Sequence, residues 1–356
     1  MSHSKIAIVI LNWNGAKLLQ QFLPSIVEFS KNDFTEIVIA DNGSTDDSLQ
    51  ILRNEFPEVK ILDLKQNYGF ARGYNEALKL IDADYFVILN SDVEVTAGWL
   101  EDPIRLMEND SSIASVQPKI LSYHQKTHFE YAGAAGGFID RFGYPFCRGR
   151  IFNEVEEDRG QYNDSVDIFW ATGACMFVRA KCFHEVGGFD ADFWAHMEEI
   201  DLCWRLKNCG YRIIYTSEST VYHVGGGTLS YDNPTKLFLN FRNNLWLLYK
   251  NLPAGRLFLI LFIRMVLDGV AAIKLLAELN VNGIVSVLKA HYHFYCSIPL
   301  LNRKRKQAKR SGYLSAPAEK LHLSIVFQFY IRNRKTYSAL IEKSHPMFVQ
   351  FEQSSQ

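Results

Sequence analysis

The chain has 356 residues, 48% of them hydrophobic and 13% aromatic, with a formal net charge of -1. That length can bury a large core in one to three domains, and the composition excludes a disordered chain. The charge is uneven: Lys236 to Lys320 carries 14 Lys/Arg against 3 Asp/Glu, so a basic segment sits on an acidic body and points to a polyanionic partner, membrane or nucleic acid.

The apolar run Lys5–Leu11 is too short for a secretory leader and reads as a first buried strand. A helical pattern follows with Leu18, Leu19, Phe22, Leu23, Ile26 and Val27. Glu36–Ala40 is a second strand, and Ser48–Glu55 a helix introduced by the capping-type Ser44-Thr-Asp-Asp47. Val59–Leu64 is a third strand, Gly73–Ile81 a helix, and Tyr85–Leu89 a fourth strand. This alternation predicts an α/β fold, with a mostly parallel twisted sheet covered by helices on both faces.

From Pro118 to Asp167, glycines and aromatics dominate, and the stretch reads as loop-rich surface. Ile168–Val178 reads as a strand interrupted at Gly173. Glu198–Asn208 reads as a helix stopped by Gly210, and Arg212–Tyr215 and Thr220–His223 as strands ended by Gly225-Gly-Gly227. Beyond Pro234 the chain turns helical. Leu257–Leu279 is strongly apolar yet carries Arg264, Asp268, Lys274 and Glu278, more charge than a spanning helix tolerates. An interfacial helix, or one packed on the catalytic body, fits better. Arg303-Lys-Arg-Lys306 with Lys309 and Arg310 then reads as an anionic-lipid contact or as a solvated helix end. No nucleic-acid module accompanies it. The six cysteines form no metal-ligand pattern and read as reduced thiols of a reducing compartment.

Chemistry-bearing residues fall at three strand ends, where open α/β sheets bind ligands. Asp41, in Ala40-Asp-Asn-Gly-Ser-Thr-Asp46, suits a base or ribose contact, or a helix cap and turn. Asn67-Tyr-Gly-Phe-Ala-Arg-Gly-Tyr-Asn75 offers Gly69 and Gly73 for close backbone approach, a helix start for an anion, and Arg72 as a cation. Asn90-Ser-Asp-Val-Glu94 ends the fourth strand in carboxylates that suit a divalent cation sharing a phosphate. The order fits a sugar nucleotide.

With Ile8-Val-Ile-Leu-Asn-Trp-Asn-Gly15, Thr172-Gly-Ala-Cys-Met-Phe-Val-Arg179, Gly187-Gly-Phe-Asp190, Glu198-Glu-Ile-Asp-Leu-Cys-Trp-Arg205 and His223-Val-Gly-Gly-Gly-Thr228, these motifs resemble family 2 glycosyltransferases of the GT-A fold, especially the rhamnosyltransferase-like branch. The resemblance covers about residues 5–230. It implies a GT-A catalytic domain at 1–232, with a helical, basic, membrane-associating region at 233–356.

For the site, the resemblance implies Glu199 as catalytic base with Glu198 beside it. Asn12, Asp41, Asn67, Gly69, Arg72, Asn75, Ser91 and Asp92 would bind the donor. Asp92, Glu94 and His223 would hold Mg²⁺ or Mn²⁺, and Trp170, Thr172, Gly173 and Trp194 would meet the acceptor. Trp170, Trp194 and Phe193 read either as stacking platforms or as core. Asp201 and Arg205 read as a structural i,i+4 pair. The metal motif has two registers, Asn90-Ser-Asp92 with one acid or Asp92-Val-Glu94 with two. Many members write Glu-Asp where this chain has Glu198-Glu199.

The implied reaction is inverting transfer from a UDP-sugar or dTDP-rhamnose to a saccharide or lipid-linked saccharide. It would run in the cytoplasm, peripherally on the inner face of the cell membrane, with oligomers open and no nucleic acid. A nucleotidyltransferase and an inactive sugar-nucleotide sensor or scaffold are the competing readings.

Overall fold

A computed structural model describes residues 4–225, 234–310 and 321–341. The first half alternates β1 (Ile6–Asn12), α1 (Ala16–Phe29), β2 (Thr35–Asp41), α2 (Ser48–Glu55), β3 (Lys60–Asp63), α3 (Gly69–Leu78) and β4 (Tyr85–Leu89). β1 lies between β2 and β4, and all four strands run parallel. Alternate residues face opposite ways. Ala7 and Val9 join the core under α3, while Ile6, Ile8 and Ile10 join the core under α1. A strand buried on both faces therefore reads as an unbroken apolar run.

After β5 (Val93–Val95), α4 (Glu101–Asn109) and β6 (Ile113–Ser122) come β7 (Gly137–Ile139), β8 (Pro145–Cys147), β9 (Arg150–Ile151) and β10 (Glu154–Val155). β11 (Ser165–Asp167), β12 (Cys175–Arg179), α5 (Ala180–Glu185), α6 (Glu198–Asn208) and β13 (Arg212–His223) complete this half. The main sheet has the order β11-β13-β6-β12-β4-β1-β2-β3, with β5 on β13.

The stretch 118–167, expected as surface loop, instead contains a second sheet, β10-β9-β8-β7, whose Phe138, Ile139, Phe146, Cys147 and Ile151 are buried. Its glycines make room for rings rather than for turns alone. A Cβ at Gly137 would stand 2.1 Å from the Trp170 indole.

The remaining helices are α7 (Pro234–Asn251), α8 (Ala254–Ala277), α9 (Val281–Cys296), α10 (Ile298–Arg310) and α11 (Tyr337–Ile341). Leu245, Leu247 and Leu248 of α7 share one core with Trp204 and Tyr215 of the sheet half. Gly226, Gly227 and Thr228 of the expected His223 motif lie outside the described residues, as do the side chains of Lys309 and Arg310.

Candidate active site

β1 and β2 end side by side, Asn12 level with Asp41. Asn12 Nδ2 donates to Asp41 Oδ2 and to Ser44 Oγ, both at 3.1 Å, and Ser44 N donates to Asp41 Oδ1 at 2.9 Å. Asn12 Oδ1 is buried without a partner among the described residues. An unsatisfied acceptor at a strand's carboxyl end is a place for a ligand N–H or O–H.

The Asn67–Asn75 loop departs from expectation in three ways. Asn42 ties it down, donating to Asn67 Oδ1 (3.1 Å) and Gly69 O (3.2 Å) and accepting from Tyr68 N (3.0 Å). The first N–H groups of α3, expected to face an anion, are already capped, since Phe70 N and Ala71 N donate to Trp194 O at 3.1 and 3.2 Å. Asn75, expected on the donor, spends its whole amide on Phe189: Nδ2 donates to the carbonyl (2.7 Å) and Oδ1 accepts from the amide (2.9 Å). A side chain whose two ends are both engaged braces the Gly187–Asp190 turn. Arg72 stays exposed, with its guanidinium 4.8 Å over the Tyr68 ring and 3.9 Å from Glu76.

At the end of β4, Asp92 and His223 meet: Asp92 Oδ1 is 3.1 Å from His223 Nε2, and Asn90 Nδ2 is 3.4 Å from the same nitrogen. Glu130 Oε2 lies 3.3 Å from His223 Nδ1, within ion-pair range but without hydrogen-bond geometry. Burial works against charge at both groups and loses. The His223 hydrogen bond and charge hold Asp92 below the usual carboxylate range, and Asp92 and Glu130 carry His223 up to about 10. Glu94 stands apart. Paired in the ladder with Tyr222, it forms an ion pair with Lys126, whose ammonium also covers the Tyr222 ring. Asp92 is the acid that meets His223, whereas Glu94 is committed to Lys126, and these partners favour the Asn90-Ser-Asp92 register.

Among the described residues, no three His, Cys, Asp or Glu side chains gather as a ready metal cage. A carboxylate beside an imidazole that gives up its proton on binding would nevertheless fit a hard cation that takes its other oxygens from phosphate and water. Ser91 joins this edge from the turn after β4, its hydroxyl facing Gly15.

Behind the Trp194 segment that packs on Gly69, α6 begins with Glu198-Glu199, where the helix dipole favours acids. Its far end closes as the sequence predicts, with Gly210 left-handed (φ +86°) and Tyr211 N donating to Leu206 O. Oε2 of both glutamates is buried with no partner among the described residues. Burial, then the neighbouring Glu199 charge, raises Glu198 well above the ordinary carboxyl range, and burial pushes Glu199 up to about 7. The preceding segment is strained: Trp194, His196 and Met197 all have positive φ (+68°, +69°, +73°). Asn243 of α7 holds it, its Nδ2 lying 2.8–3.0 Å from the carbonyls of Phe193, Ala195 and His196.

Below the glutamates, Asp201 accepts from Arg205 Nε, Lys250 Nζ and Asn251 Nδ2, each at 2.8 Å. Lys250 also meets Asp190 at 2.7 Å, and Lys304 joins Asp190 and Asp192. Lys304 and Arg305, expected within a lipid-facing basic cluster, therefore face the protein: Arg305 is buried and donates to Tyr249 O at 2.7 Å.

The two sides are joined where the Trp194 ring packs over the Gly69 turn. Of the expected acceptor residues, Trp194 is 51% exposed and lies over Gly69. Trp170 is 3% exposed, its indole N–H given to Phe138 O (2.9 Å), so it is core, as is Phe193. Thr172 is buried against Gly133, and Gly173 abuts the Phe70 ring. Sequence reasoning missed Glu130, Asn42, His196 and Asn243. Glu130 lay hidden in the glycine-rich stretch, and Asn243 in a helix with no motif.

Residues 7–187 match the family described as Glycosyl transferase family 2. The N-acetylglucosaminyl-diphospho-decaprenol L-rhamnosyltransferase of Mycobacterium tuberculosis strain H37Rv is 24% identical over 61% of this chain and 75% of its own length. Rhamnosyltransferase WbbL of Escherichia coli K12 is 27% identical over 44% of this chain and 61% of its own. Among solved structures, GalNAc-T7 with UDP, GalNAc and Mn²⁺ aligns with TM-score 0.55 at 15% identity, covering 87% of this chain and 58% of that one. The mannosyltransferase PcManGT of Pyrobaculum calidifontis with GDP-Man and Mn²⁺ aligns with TM-score 0.50 at 15% identity over 88% and 82%. These structural likenesses establish the GT-A fold, and with the family match they make the chain a member of glycosyltransferase family 2.

Proposed function

We propose that the protein is an inverting, metal-dependent hexosyltransferase of cell-surface polysaccharide synthesis. It moves a sugar from a UDP-sugar or dTDP-rhamnose to a saccharide, free or lipid-linked, at the cytoplasmic face of the membrane. Residues 1–232 act as the catalytic unit and 233–356 as its membrane-associating support. The observation that carries the reading is Glu199, a carboxylate with an unpartnered buried oxygen and a pKa near neutrality, set behind a strained loop that reaches the Gly69 turn.

Asn12 and Asp41 hold the nucleoside at the ends of β1 and β2. Asp92 and His223 hold a divalent cation, which when bound supplies Lewis-acid neutralisation of the leaving diphosphate. Trp194 offers its exposed ring to the acceptor sugar. Glu198 stays protonated, which leaves Glu199 as the ionising member of the pair. Glu199 accepts the proton of the acceptor hydroxyl, that oxygen bonds the anomeric carbon from the face opposite the diphosphate, and the carbon–oxygen bond to the diphosphate breaks.

Glu199→Gln tests this. Transfer should fall at least about 100-fold, the usual worth of a positioned base, while donor affinity stays within a factor of a few. Full turnover in that variant removes Glu199 from the base role.

A further inference from the structure

α8 is built inside out. A helix on a water-soluble body normally turns its apolar stripe inward and its charges outward. Along the middle of α8 the charges point in: Arg264 Nε donates to Asp268 Oδ1 (2.9 Å), its guanidinium lies 3.5 Å over the Tyr144 ring, and His291 of α9 reaches Asp268 Oδ2 (3.2 Å). The outward face carries Phe258, Leu259, Phe262, Val266, Val270 and Ile273, each more than half exposed. α9 continues the surface with Val281, Val285, Leu288 and Tyr292. Two adjoining helices exposing this much hydrocarbon exceed the scattered apolar residues of an ordinary surface.

Charge around the face identifies what covers it. Arg256, Lys274, Lys289, Arg303 and Lys306 are exposed, whereas Glu278 is the one exposed acid among the described residues of α8–α10, and it pairs with Lys274 at 3.7 Å. At the N-terminal end of the face a cavity of about 410 Å³ opens between Arg141, Arg256 and His322, with Phe142, Leu259 and Ile263 as its apolar wall. Neither arginine has an ion-pair partner among the described residues. Cations above an apolar floor match the headgroup and first methylenes of an anionic lipid. No described helix is long and apolar enough to cross a membrane, so α8 would lie in the interfacial plane.

We propose that the α8–α9 face docks on an anionic lipid bilayer and that the Arg141–Arg256 cavity takes a lipid phosphate headgroup. The proposal rests on the membrane-associating reading of 233–356 and deepens it by naming the face and the headgroup; it assigns no role to the glutamates or to the cation site, so its failure leaves the transfer reaction standing.

The test is flotation of the full chain with vesicles of phosphatidylcholine alone or with 30 mol% phosphatidylglycerol (about that fraction gives a charged surface). Binding should favour the anionic vesicles. Phe258→Glu/Phe262→Glu should lower it at least tenfold, and Arg141→Glu/Arg256→Glu should weaken the preference for anionic lipid. The gentle variant Phe262→Trp should remain bound and show added fluorescence quenched by lipids brominated on the acyl chains. Undiminished binding by the double glutamate variant overturns the proposal. So does a soluble dimer that this variant dissociates while no vesicle binding occurs, because a second copy would then own the face.

Discussion

Gly69 and Trp194 are fitted to each other: a Cβ at Gly69 would stand 2.8 Å from the indole, and Gly69 itself sits at φ +74°. The same tryptophan caps α3 through its carbonyl. The donor-side turn and the segment leading to Glu199 thus move as one piece. Gly69→Ala should cost about 1–3 kcal/mol from left-handed strain and displacement of the ring. It should weaken donor and acceptor binding together, seen as a lower melting temperature with both KM values raised.

Trp194→Ala separates platform from scaffold. The carbonyl cap survives because it is backbone, while the exposed ring is lost. Acceptor KM should rise about tenfold, the scale of one lost ring-stacking contact, with little change in melting temperature or donor KM. A variant with normal acceptor KM would make the ring a lid on Gly69 and nothing more.

The raised pKa of Glu199 has a sign that can be checked twice. A base must be ionised, so kcat/KM should fall as pH drops below about 7. For stability, the folded state keeps a proton that the unfolded chain releases near pH 4.5, so stability declines as pH rises from about 4.5 to 7. Glu199→Gln removes that share. Its melting temperature should match the parent near pH 4.5 and exceed it at pH 8, by the equivalent of about 1–2 kcal/mol.

Asn243 and Lys250 should behave as supports of the site. Asn243→Ala strands the Ala195 and His196 carbonyls of a strained loop, Phe193 O keeping Arg242 as a donor, and should cost about 1–3 kcal/mol, with kcat falling more than donor affinity. Lys250→Met leaves buried Asp201 and Asp190 short of a cation and should cost about 3–5 kcal/mol. Urea midpoints measured beside kcat would report both.

Chelation should abolish transfer, and Mn²⁺ or Mg²⁺ should restore it. Asp92→Asn should need at least about tenfold more metal for half-maximal rate, whereas Glu94→Gln should leave the requirement unchanged because Glu94 serves Lys126. Isothermal titration of metal in the presence of nucleoside diphosphate separates the two variants.

The alternating strands and helices of the first hundred residues were legible in the sequence because buried parallel strands must be continuous apolar runs between amphipathic helices. Asp41 and Asp92 were legible for a related reason, as polar groups that end such runs, whereas Asn12 and the Glu198-Glu199 start of α6 were singled out by the family resemblance. Tertiary structure alone decided which polar groups remain open. Asn75 and the start of α3 look like ligand contacts until Phe189 and Trp194 occupy them. Trp170 looks like a platform until Gly137 lets the second sheet close over it. Glu130 and Asn243 reach the site from segments whose local pattern carries no chemistry. Local sequence fixes periodicity and backbone preference, whereas the satisfaction of a hydrogen bond depends on partners as far off as the 131 residues between Asp92 and His223, which only the folded chain brings together.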